Sequence, residues 1–172
     1  MKKLLVVVIA LALLLAAVGV AQAQDEVFIL LPMLEEGYTV NPDQIVYIAF
    51  GWGACNPGLV KTAQNALGFE ITVDGAPLYE LVHKDPYWGT PYPIGQFEEC
   101  FPDPHAVPTE ADWIYPLDLS QFELGEEYEM SFSLWLNHQI TDGFDYDENG
   151  LPDFYNGVLL SGSFNLTVVD SP

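Results

Sequence analysis

Glu127-Tyr128-Glu129-Met130-Ser131-Phe132-Ser133-Leu134-Trp135-Leu136-Asn137-His138 places Tyr128, Met130, Phe132, Leu134 and Leu136 on one side. Glu127, Glu129, Ser131, Ser133, Trp135 and Asn137 fall on the other. A period of two belongs to a β-strand, whose successive side chains leave opposite faces, so this stretch predicts a strand with one buried face. The same alternation returns at Gly68 to Asp74, with Phe69, Ile71 and Val73 inward, and at Ser163 to Val169, with Phe164, Leu166 and Val168 inward. Ile45 to Phe50 is continuously apolar, as expected of a central strand covered on both sides. Val27 to Leu34 reads as a further strand, confined to an edge or a bulge because Pro32 has no N–H to donate. Leu78 to His83 and Trp113 to Leu117 add two short ones.

Turn chemistry separates these segments: Asp74-Gly75 is a hairpin signal, and Leu124-Gly125-Glu126 opens the strand from Glu127. Leu59 to Leu67, after Asn56-Pro57-Gly58, is the single helical pattern, with Leu59, Ala63, Ala66 and Leu67 on one side. Lys84 to Ala111 holds six prolines and no clear period, which predicts a long loop. The expectation is an all-β fold: an antiparallel β-sandwich of about seven strands with one short helix and one long loop rich in proline and aromatic residues.

The first 23 residues read as a secretory signal: Lys2 and Lys3, an apolar run from Leu4 to Val20, then the cleavage pattern Ala21-Gln22-Ala23. Residues 24–172 are then one sandwich domain, secreted or otherwise extracytoplasmic in the periplasm or at the cell surface, with no membrane insertion after cleavage. It would keep Lys61, Lys84 and all 25 acidic residues, a formal charge of about −23. Nucleic acid is excluded as a partner, because phosphate binding needs clustered Lys and Arg. Half of the chain is apolar and aromatic residues are abundant, so the acidity belongs to a folded domain rather than a disordered tail. Cys55 and Cys100 are the two cysteines, and in an oxidising compartment they are expected to pair.

Asp145-Tyr-Asp147-Glu-Asn149-Gly150-Leu-Pro-Asp153 spaces oxygen ligands at alternate positions, then a glycine, then another carboxylate. Ca²⁺ takes six to eight oxygens, and a tightly wound loop supplies them from positions 1, 3, 5 and 9, with glycine at position 6 for the bend. The stretch resembles the D-x-D-x-D-G-x-x-D loop of thrombospondin type 3 repeats and related bacterial calcium loops. That resemblance implies Asp145, Asp147, Asn149 and Asp153 as side-chain ligands and Leu151 as a carbonyl ligand. Position 12 is Asn156, which cannot chelate bidentately, so affinity should suffer unless Asp142 or Glu148 reaches in.

Tyr87, Trp88, Tyr92, Phe97 and Phe101 give the long loop much aromatic surface, and Trp135 lies on the polar side of its strand. These rings either fold back over one end of the sandwich or present a stacking platform for sugars, with Tyr87, Trp88, Tyr92 and Trp135 as ligand-binding candidates. The partner would be an extracellular glycan or protein. His83, His105 and His138 stand singly, and Leu160-Ser161-Gly162-Ser163 lacks the G-x-S-x-G elbow. Glu98, Glu99 and Asp103 are the carboxylates a glycosidase reading would use, although neighbouring carboxylates are ordinary in so acidic a chain. The expected role is therefore a noncatalytic binding or surface-structural module, with carbohydrate binding or cleavage as the alternative.

Leu124-Gly125-Glu126-Glu127-Tyr128 resembles the tyrosine corner of immunoglobulin-like and fibronectin type III domains. Phe50-Gly-Trp52-Gly-Ala-Cys55 with Gly58-Leu59-Val60, Val73-Asp74-Gly75 and Trp113-Ile-Tyr115-Pro-Leu117 resembles small secreted bacterial proteins of unknown function. The latter resemblance spans most of the mature chain and implies a sandwich without an activity.

Overall fold

The computed structural model describes residues 26–80, 86–95, 100 and 106–170. The signal stretch, the end of the strand read at 78–83, and Phe97, Glu98, Glu99, Phe101, Asp103 and His105 lie outside the described residues. Among the described residues nine strands form two sheets: β1 (Glu26–Leu30), β3 (Ile45–Ala54), β7 (Thr109–Leu117) and β6 (Tyr92–Pro93) in that spatial order, and β2 (Gly37–Val40), β9 (Phe154–Val168), β8 (Glu127–Thr141), β4 (Leu67–Val73) and β5 (Ala76–Glu80) in the other. This is the all-β sandwich that the alternating stretches predict. The order β3-β7-β6 against β9-β8-β4-β5 matches the B-E-D and G-F-C arrangement of immunoglobulin-like sandwiches, extended by one strand beyond C.

The inward residues of β8 behave as their period requires: Met130, Phe132, Leu134 and Leu136 are all buried. Across them lie Phe69 and Ile71 of β4 and Phe164, Leu166 and Val168 of β9, and from the facing sheet Ile48, Phe50 and Trp113 close one continuous core. Trp113 is fully buried, tilted over Phe50 at 5.5 Å and edge-on to Phe69 at 4.5 Å. Tyr128 closes the corner its sequence context suggests, its hydroxyl accepting the Glu123 N–H at 2.8 Å. Gly125, at φ +83°, makes the turn beneath it.

The structure departs from the sequence reading at the edges. The strand expected over Val27 to Leu34 stops at Leu30, and Leu31–Met33 forms a 3-10 turn with Pro32 in its first turn. The chain then crosses to the other sheet as β2, so β1 adds parallel to β3 and β2 adds parallel to β9. The remaining pairings are antiparallel. The proline-rich stretch is also less loop-like than its composition suggests: Tyr92–Pro93 pairs with β7, and Trp88 forms a bridge to Trp113.

Helix α1 (Pro57–Ala66) joins β3 to β4. Asn56 caps it by accepting the Leu59 N–H at 3.1 Å, and Pro57 occupies the first turn, where its missing N–H costs nothing. Val60, Ala63 and Ala66 are its buried face. Among the described residues no helix is long and apolar enough to cross a membrane.

Candidate functional site

The C-terminal end of β3, the start of β7 and the β8–β9 connection meet at one pole of the sandwich, and most of the sequence candidates gather there. Cys55, at the end of β3, is joined to Cys100 with a Cα–Cα distance of 5.5 Å. Both half-cystines hold the root of the acidic loop: Cys55 donates its N–H to the Asp142 carbonyl at 2.7 Å, and Cys100 forms a bridge to Phe144. Gly143 fits between them at φ +84°, where a Cβ would lie 2.9 Å from both Cys55 Cβ and Leu59 Cδ1. The disulfide therefore fixes the loop as well as closing a long stretch of chain.

Asp142 is buried at this root, with Oδ1 accepting the Phe144 N–H at 3.0 Å. Burial pushes its carboxyl up to about 6, against the lowering effect of bonds from the Phe144 N–H and the Tyr155 hydroxyl. The same burial and the adjacent carboxylate push the Tyr155 phenol up. Tyr155 in turn packs edge-on to Trp52 at 5.8 Å, so the loop root rests on the aromatic end of the core.

Beyond Phe144 the loop winds around its own carboxylates. Asp145 Oδ1 accepts from the Asn149 N–H at 3.0 Å and Oδ2 from the Gly150 N–H at 2.8 Å. Asp147 Oδ2 accepts from the Asn149 side chain at 2.9 Å, Asn149 Oδ1 from the Leu151 N–H at 2.9 Å, and Asp153 Oδ2 from the Tyr146 N–H at 2.9 Å. Gly150 adopts φ +83° and Glu148 φ +60°, the left-handed pair that permits this winding. Among the described residues no three His, Cys, Asp or Glu side chains converge closely enough to enclose a metal ion; Asp145, Asp147 and Asp153 instead cap the loop's amides. Leu151 is exposed at the tip.

The aromatic candidates separate into packed and open rings. Trp88 meets Phe50 edge-on at 5.3 Å, and Tyr87 meets Tyr79 at 5.7 Å and Tyr115 at 5.2 Å, so both close the open side of the sandwich between β5 and β7. Tyr92 lies on β6, its hydroxyl donating to Asp112 Oδ2 at 2.9 Å. Trp135 lies on the outer face of the five-stranded sheet, flat across Gly68. A Cβ on Gly68 would fall 2.6 Å from Trp135 Cζ2 and nearer still to Cε2 and Nε1. Its cross-strand neighbour is Val158, which is 66% exposed.

Sequence reasoning passed over one cluster. Glu110 and Asp112 share the outer face of β7, with Tyr92 directly opposite Glu110 on β6 and Gly53 and Gly51 opposite the two acids on β3. Glu110 is 1% exposed, and neither of its carboxylate oxygens has a hydrogen-bond partner; Asp112 Oδ1 also has none. Burial, with the nearby Asp112 charge, pushes the Glu110 carboxyl up to about 7, and burial raises Asp112 as well. The Tyr92 phenol is driven up by burial and by both acids. The available signal was Thr109-Glu110-Ala111-Asp112-Trp113, two acids at strand spacing immediately before a core tryptophan. No family model, curated protein or solved structure matches the chain, so its resemblances stand on the quoted residues alone.

Proposed function

We propose that this is an exported, noncatalytic extracytoplasmic module that binds a glycan or protein partner or serves a structural role at the cell surface, with Ca²⁺ rigidifying the Asp145–Asp153 loop. The observation that carries the reading is the wound loop itself: Asp145 closes on the amides of Asn149 and Gly150, and Gly150 takes the left-handed turn. A calcium ion would draw Asp145, Asp147, Asn149 and Asp153 inward with the Leu151 carbonyl and offset their mutual repulsion. Lys61, exposed on α1, is the one Lys or Arg among the described residues, and no ion pair to the loop's carboxylates is seen among them. The disulfide and the signal-like leader support an extracytoplasmic site of action. Calorimetric titration of the mature chain with CaCl₂ is expected to give a dissociation constant of about 0.1–1 mM, the range of extracellular modules. Asp145→Asn should weaken it at least tenfold, and absence of calcium heat in the wild type would sink the loop reading.

A second reading, carbohydrate binding, rests on Trp135 and its exposed neighbour Val158 on the outer sheet face. A glycan array probed with wild type and Trp135→Ala tests it. Hits that vanish with the indole support a stacking site, and hits indifferent to the change remove it. Hydrolysis of a polysaccharide panel by the purified chain would overturn the noncatalytic reading.

A further inference from the structure

We propose that Glu110 and Asp112, with the phenol oxygen of Tyr92, form a second cation site, separate from the acidic loop, that takes one hard divalent ion on the outer face of the four-stranded sheet. Glu110 is almost wholly removed from solvent, yet both of its oxygens lack a donor, and Asp112 Oδ1 lacks one too. Three orphaned acceptors in one place are costly, because each loses its water without replacement.

The orphaned oxygens converge. The point where a Cβ on Gly51 would sit lies 3.2 Å from Asp112 Oδ1 and nearer still to Glu110 Oε1, so the two carboxylates lean over the same bare glycine. Tyr92 is held beside them by its bond to Asp112 Oδ2, which uses the phenol hydrogen and leaves the oxygen's lone pairs free. The register accounts for the space: Gly51 and Gly53 are the β3 residues opposite Asp112 and Glu110, and neither projects a side chain into it.

The chemistry of the group selects a cation. It is oxygen throughout and offers no N–H to an anion, and a shared proton would join only one pair of oxygens, leaving a third orphaned. A divalent ion coordinates all three acceptors and the phenol together, completing its shell with water, as hard cations do on carboxylate and neutral oxygen ligands. The raised carboxyl of Glu110 fits the same picture: without a cation the pair resists losing its second proton.

The test uses Tb³⁺ as probe on the mature chain carrying Asp147→Ala, which disables the acidic loop. Trp52 and Trp113 flank the acids in the ladder, so an ion held there should emit when tryptophan is excited. The expected result is sensitised emission that saturates at one ion per chain and is displaced by Ca²⁺. Glu110→Gln, and separately Asp112→Asn, should abolish it while circular dichroism stays unchanged. Should either carboxylate variant fail to fold, Tyr92→Phe keeps both acids and is expected to raise the half-saturating Tb³⁺ concentration several-fold. No emission in the Asp147→Ala chain, or emission indifferent to the acid and phenol changes, overturns the site. Loss of emission on Asp147→Ala alone would assign cation binding to the loop only, so failure here is distinguishable from failure of the loop.

Discussion

Replacing Glu110 by glutamine removes a carboxyl that the fold holds near 7 and keeps its shape. The unfolded chain should titrate this group near its ordinary value of about 4.3, so the folded state retains a proton the unfolded state has released. The sign follows from that retention. The raised group contributes its full stability below the unfolded value, and the contribution is lost as pH climbs through about 7. At 1.36 kcal/mol per unit, an upward displacement of this size makes the wild type lose roughly 2–3 kcal/mol between pH 5 and pH 8 that the glutamine variant does not lose. In a domain of this length that is a difference of roughly 4–12 °C in Tm. The assay is urea unfolding followed by tryptophan fluorescence in EDTA, for both proteins, at several pH values across that window. Asp142, raised to about 6, tilts both curves in the same sense, so the difference between them isolates Glu110. The two should nearly coincide at pH 5, with the glutamine variant the more stable at pH 8. Parallel curves would refute the idea that Glu110 is buried without a donor.

Other perturbations probe other parts of the account. Reducing Cys55–Cys100, or replacing Cys55 by serine, should lower the unfolding free energy by about 4 kcal/mol in the chain-entropy treatment, as read by urea titration with and without reductant. Hydrogen exchange should then rise first at Phe144 and Cys55, whose pairings the bridge secures. Gly68→Ala would press a methyl group into the Trp135 ring; a cost of about 1–3 kcal/mol and a red-shifted tryptophan emission are expected as the indole lifts from the sheet. Tyr128→Phe removes the acceptor of the Glu123 N–H and should cost about 1 kcal/mol in the same titration.

The core was legible in the sequence because it depends on a local period. Met130, Phe132, Leu134 and Leu136 alternate with polar residues and are buried, and Phe69, Ile71, Phe164, Leu166 and Val168 follow the same rule. The helix was legible from Asn56-Pro57, and the disulfide from the presence of two cysteines in a chain whose first residues read as an export signal. The edges were not legible. Gly37–Val40 is four residues long and is recruited by β9, and Tyr92–Pro93 is a strand only because β7 offers it partners. Such pairings are set by the neighbouring strand rather than by propensity. Trp88 read as a ring on a loop and proved to be opposite Trp113, since proline content conceals short stretches of ladder. Glu110 and Asp112 were invisible for a different reason: 25 acidic residues make any pair look ordinary, and only burial singles one out. The acidic loop lies between these cases: Gly150, expected to make the bend, takes a left-handed φ, while the carboxylates accept from the loop's own amides.

The most direct test of the calcium-stabilised module is thermal unfolding of the mature domain in EDTA and in millimolar CaCl₂, with Asp147→Ala alongside. A loop half filled at about 0.1 mM adds about 1.4 kcal/mol at 1 mM, a rise of roughly 3–6 °C. The account predicts that calcium raises the wild-type Tm by that much more than it raises the Tm of Asp147→Ala. No calcium-dependent rise, or an equal rise in both proteins, would contradict it.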